Sequence, residues 1–212
     1  MILKIRLKLK NRTLSYITMT KNLIVPLIIL CFINDSFAQN EQLPYMEIPN
    51  PSEVYTAGAV VARMIDGLGF RFYWATESLR IEDLTFKPSS DARTTAETLN
   101  HIFELAQMIH STALKKDISY IQNKGLSISE KRSITLKMLK TSSDIFRNTQ
   151  HLGQFKIFFN RDGKQSEYPF WNQINGPISD ALWHCGQIVS HRRTSGNPFN
   201  SKVNVFKGTV SD

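Results

Sequence analysis

The chain has 212 residues, with 26 Lys+Arg against 18 Asp+Glu and a formal net charge of +8. Its hydrophobic content of 42% supports a packed core and excludes a disordered chain. Two cysteines, Cys31 and Cys185, exclude a disulfide-stapled fold, a four-Cys zinc site and a CxxC redox motif.

Residues 1–38 read as a secretory signal peptide. Lys4, Arg6, Lys8, Lys10, Arg12 and Lys21 stand against the single acid Asp35, so this segment holds +5 of the +8. An apolar run of 11 residues, Leu23 to Ile33, follows the basic part. It is shorter than the ~20 residues that cross a bilayer. Ser36-Phe37-Ala38 puts small residues at the −3 and −1 positions of a cut after Ala38. The expected protein is therefore exported, to a periplasm or beyond the cell, with no stable membrane association after cleavage. The alternative is a leader left in place as an anchor. Only +3 remains on residues 39–212, so the basic pI reports export, and no nucleic-acid partner is expected.

Residues 39–49 are polar and predict an exposed lead-in. Asn50-Pro51-Ser52-Glu53 is a helix-start pattern. Val54, Ala57, Val61, Ile65, Leu68 and Phe72 recur behind it at helical steps, predicting a first helix to about Leu79. Gly67 and Gly69 weaken its middle and allow a neighbour to approach closely. The run Phe70 to Trp74 reads as core packing, with pocket lining as the alternative. Residues 80–93 predict a loop. Thr94-Thr95-Ala96-Glu97 is a capping box opening a second helix with Leu99, Ile102, Phe103, Leu105, Ala106 and Ile109 inward. A turn is expected at 123–125. Ser127-Ile128-Ser129-Glu130 opens a third helix, with Ile134, Met138, Ile145 and Phe146 on its core face. Its Lys131, Arg132, Lys137 and Lys140 predict a solvated basic face.

Phe155 to Phe159 is either a short strand or a buried connector, and Asp162-Gly163 turns the chain. A fourth helix is expected from about Pro169 to Arg193, stopped by Gly196 and Pro198. Residues 199–212 predict a flexible tail. Four amphipathic helices over residues 50–198 give an all-α chain folded as an antiparallel four-helix bundle.

Asp180 and His184 lie one turn apart on one face of the fourth helix, and His101 lies mid-way along the second. An Asp oxygen and two imidazole nitrogens suit zinc and other divalent transition metals. From spacing alone, the alternatives are a surface Asp–His pair and a core histidine.

Asp180-Ala181-Leu182-Trp183-His184-Cys185-Gly186-Gln187-Ile188, followed by Arg192-Arg193 and Gly196-Asn197-Pro198, resembles the last helix of the DinB family. That family's pattern is a His, three residues, a second His, a basic residue, Gly-Gln-Ile and an Arg-rich turn. His184 matches the second His, while Asp180 stands where the first usually does. Arg93 to Ile109, with His101, looks like the family's second helix. The resemblance spans roughly residues 53–198. It implies a four-helix bundle of the DinB type, often a homodimer, holding a divalent metal through His101, Asp180 and His184. Zinc is the first expectation, with nickel, iron or manganese as alternatives. Family chemistry includes thiol transfer and metal-dependent hydrolysis, so a hydrolase or transferase acting on a small-molecule substrate is expected. The rival is a non-catalytic binding or structural module with a degenerate site. Given a metal, Gln187 can orient a substrate and His191, two turns from His184, can act as acid or base. The plainer reading of both is a polar helix face. Cys185 points about 100° away and reads as a packed thiol.

Overall fold

The computed structural model describes residues 42–121 and 125–211. The proposed leader and the turn at 123–125 lie mostly outside them. The fold is predominantly helical, with two small antiparallel strand pairs. No described helix is long and apolar enough to cross a membrane.

Helix α1 spans Ala57–Thr76. It starts later than Asn50 because the Thr56 hydroxyl accepts from the Ala59 amide at 3.1 Å. Upstream, the Pro49 carbonyl accepts from Arg63 at 2.7 Å. Val54, outside the helix, is exposed, whereas Val61, Ile65, Leu68 and Phe72 are buried as expected. A short helix, α2 (Ile81–Thr85), interrupts the expected loop. Helices α3 (Thr95–Ala113) and α4 (Ile128–Arg147) begin at the two expected capping boxes, each reciprocal in its bonding.

Strands β1 (Ile157–Arg161) and β2 (Lys164–Tyr168) form a hairpin. Asp162 and Gly163, both at positive φ, make its two-residue turn. After one helical turn at Trp171–Gln173, residues Ile174–Ile178 wind wider than an α-helix, with Gly176 off the helical angles. Pro177 is the cause. It has no amide hydrogen, and its ring cannot sit against a carbonyl four residues back. The Ser179 hydroxyl donates to the loosened Ile174 carbonyl at 2.7 Å. Helix α5 (Ser179–Thr194) follows.

The four long helices touch in a closed cycle: α1 on α4, α4 on α3, α3 on α5 and α5 on α1. Phe72, Leu99, Phe103, Leu136, Leu139, Phe146 and Ile188 fill the space between them. Phe146 meets Phe155 and Phe170 edge-on at 5.1 and 5.3 Å. The aromatic run on α1 packs inward, with Phe70 and Phe72 fully buried. The basic face of α4 is only partly solvated. Lys131 is buried and donates to Asn100 at 2.8 Å, and Arg132 pairs with Glu77 and stacks on Tyr73.

Both ends differ from expectation. Tyr45, in the lead-in, is buried, and its hydroxyl donates to Asp66 at 3.1 Å. Its ring lies where a Cβ on Gly69 would come within 2.4 Å, so a lead-in side chain, not a helix, uses that glycine. The C-terminal segment is a hairpin, β3 (Val203–Asn204) with β4 (Thr209–Val210), rather than a loose tail. The Ile48 amide donates to the Gly208 carbonyl at 2.9 Å, tying the two ends together.

Arg192, buried at the end of α5, donates to the Trp74 and Ala75 carbonyls at 3.0 and 3.1 Å and so caps the end of α1. Next to it, buried Asp83 accepts from Arg80, Ser195 and Asn197. Arg80 above all, then these other donors, hold the Asp83 carboxyl far below the usual carboxylate range, against the opposing effect of burial. A depressed folded pKa adds stability above the unfolded value and loses it as pH falls through the folded one. The urea midpoint of Asp83→Asn should therefore lie well below wild type at pH 7. The gap should narrow steadily as pH drops below ~3.9, the ordinary Asp value. A gap independent of pH would mean that the carboxyl's charge is not what binds the network.

Candidate metal centre

His101 projects from α3, and Asp180 and His184 from the first two turns of α5. Packing of α3 on α5 brings the three together. The Asp180 carboxylate lies between the rings. Its Oδ2 is 3.2 Å from His101 Nε2, and its Oδ1 is 3.2 Å from His184 Nε2. The two imidazoles meet edge to face, centroids 4.8 Å apart. One donor atom from each residue lies within 4.8 Å of the others, the one such group among the described residues. Metal–nitrogen bonds of ~2.0–2.1 Å around a tetrahedron put donors about 3.3 Å apart. Both Asp180 contacts already have that spacing. His184 is nearly covered, while His101 and Asp180 keep 28% and 35% of their side chains exposed, so the group opens on one side.

Gln187 lies against the group: its amide oxygen is 2.7 Å from His184 Nδ1, a contact that orients that ring. His184 Nε2 faces Asp180 Oδ1 on the other side of the ring. The donor set fits a divalent metal in number and chemistry.

His191 does not join the group. Its Nδ1 is 3.1 Å from the Thr95 hydroxyl and its ring is 5.6 Å from Phe86. Burial lowers its pKa, keeping it neutral. The acid–base expectation for His191 is replaced by a fastening role, joining the end of α5 to the start of α3. Cys185 is buried, and burial pushes its thiol up to about 12, in keeping with a packed side chain.

Two neighbours go beyond the sequence expectation. Glu104, one turn after His101, has Oε2 3.8 Å from His101 Nδ1. Its i,i+3 spacing from His101 is the signal that could have found it. Trp183, largely exposed, lies parallel to the His184 ring at 6.2 Å. Between α3, the β1–β2 hairpin and the segment before α5, a cavity of about 600 Å³ is walled by Met108, Ile157, Phe159 and Pro177 together with Asp162 and Lys164.

Orienting partners of ligand histidines typically contribute 10–100-fold to metal affinity. Gln187→Leu should weaken zinc binding by about that factor in competition with a chromophoric chelator, while Gln187→Glu retains it. Equal affinity in Gln187→Leu would show that packing alone orients the ring.

Compared with family models, curated proteins and solved structures, the chain matches none of them.

Proposed function

We propose that the chain is an exported metalloprotein of the DinB type, an antiparallel four-helix bundle that binds a divalent metal, zinc first, through His101, Asp180 and His184. We further propose that it hydrolyses a small-molecule substrate. The observation that carries this reading is the Asp180 carboxylate set between two imidazole Nε2 atoms, with Gln187 fixing one ring.

Bound there, a divalent cation supplies Lewis acidity and a nucleophile at neutral pH. His101 and His184 offer neutral nitrogens. Asp180, in place of a third imidazole, removes one positive charge and leaves an open coordination side. Glu104 lies 3.8 Å from His101 Nδ1, where its charge faces that ring without a hydrogen bond. The cavity under the hairpin lies two helical turns along α3 from His101, since Met108 follows it by seven residues. Its mixed walls, with Met108, Ile157, Phe159 and Pro177 beside Asp162, Lys164 and Asn172, suit an amphipathic part of a substrate. Export, carried by residues 1–38, favours water over an intracellular thiol as the second reactant.

Elemental analysis of protein purified without chelators tests the reading. Wild type should carry about one equivalent of metal per chain and His184→Ala essentially none. Metal content unaffected by His184→Ala would sink it. Metal bound by wild type but with no turnover across ester, amide and phosphoester panels would favour the rival, a non-catalytic module, which rests on Asp180 standing where the family has histidine.

A further inference from the structure

Helix α5 carries a second stripe, away from the metal ligands. Leu182, Gly186, Val189 and Arg193 recur at four-, three- and four-residue steps. They line a groove of about 300 Å³, walled also by Arg71 of α1 and Phe199 of the C-terminal segment. No acidic residue lines it. Arg71 gives one Nη1 hydrogen to the Gly67 carbonyl at 3.0 Å, and among the described residues neither Arg71 nor Arg193 pairs with a carboxylate. Arg71 and Arg193 thus both line one recess with Leu182, Val189 and Phe199.

Gly186 adds an independent observation. Glycine is the poorest helix former after proline, so mid-helix it needs a reason. Its φ is not positive, and an added Cβ would meet nothing within 4 Å. Neither backbone strain nor a close neighbour calls for it. Gly186 is exposed and lines the groove, so a large side chain there would project into it.

We infer that this groove binds a small amphipathic carboxylate, its hydrocarbon body on Leu182, Val189 and Phe199 and its head on Arg71 and Arg193. Guanidinium groups match a carboxylate's two oxygens. The volume lies at the small end of ligand sites, which suits a medium-chain acid rather than a nucleotide or peptide. The inference does not depend on the metal centre.

Isothermal titration of the full chain with octanoate tests it. One saturable site is expected, with 1-octanol at least tenfold weaker. Arg71→Gln and Arg193→Gln should each weaken octanoate about tenfold or more. Gly186→Leu should abolish binding without lowering the melting temperature, since leucine is the better helix former. Metal-free His184→Ala should bind octanoate as wild type does. Equal affinity for octanol and octanoate, unchanged binding by Gly186→Leu, or loss of binding in His184→Ala would each overturn the inference. So would binding to phosphatidylglycerol vesicles with none to free octanoate, which would make the recess a membrane contact.

Discussion

Asp66→Ala is expected to destabilise the fold by about 3 kcal/mol, the low end of the range for breaking a buried ion pair. Asp66 is fully buried and accepts from Tyr45 at 3.1 Å, Ser143 at 2.6 Å and Arg147 at 2.6 Å. Truncation removes an acceptor from all three donors. Arg147 keeps 21% of its side chain exposed and can rehydrate, and Ser143 keeps the Ala62 carbonyl at 3.2 Å, which together set the low end. Buried Tyr45 has neither recourse. Burial first, then the adjacent carboxylate, hold the Tyr45 phenol well above its usual range, so it remains a donor and leaves with its partner missing. Chemical denaturation should show the loss, with Tyr45→Phe costing less than Asp66→Ala. A loss under 1 kcal/mol would mean that water enters and replaces the carboxylate.

Zinc should raise the thermal stability of the wild-type chain. A ligand bound only by the native state, at a hundredfold excess over its Kd, contributes about 2.7 kcal/mol. For a domain of this size that is roughly 5–10 °C in Tm. The shift should vanish in His184→Ala and in Asp180→Ala. It should also shrink as pH falls, because protons compete with metal for the imidazole nitrogens. Differential scanning calorimetry with and without chelator measures both. An equal shift in wild type and His184→Ala would place the zinc elsewhere.

The parts of this fold that are legible in the sequence are those set by neighbours along the chain. Thr94 with Glu97 and Ser127 with Glu130 mark two helix starts, because a capping box is closed within four residues. Asp180 and His184 share a face by spacing alone. His101 is offered only by its place mid-way along the second predicted helix, since nothing local ties it to a residue 79 positions away. The start of α1 is misread because Asn50-Pro51-Ser52-Glu53 carries a helix-start pattern, whereas in the fold Thr56 caps the helix. Strand β2 is missed because all five of its residues are exposed and no alternation marks it. The burial of Tyr45, Lys131 and Arg192 is invisible for the same reason as the His191–Thr95 contact: each depends on a partner from a distant segment. Gly176-Pro177 was in plain view inside the fourth predicted helix and should have signalled a break there.

That break has a consequence for the origin of the site. A wide turn is what remains when a helix accommodates one residue too many. Upstream of it, Phe170 and Gln173 are committed to the core, as is Ile157 of the hairpin that leads to them. Downstream, Asp180 and His184 are committed to His101. The extra residue lets each half of the last helix keep its own phase, so the hairpin and the donor triad are free to vary separately. Deleting Pro177 would remove both the extra residue and the missing amide and restore a regular ladder, but swing one half about 100° against the other, so that the same chain could keep the packing of its hairpin or the meeting of Asp180 and His184 with His101, but not both.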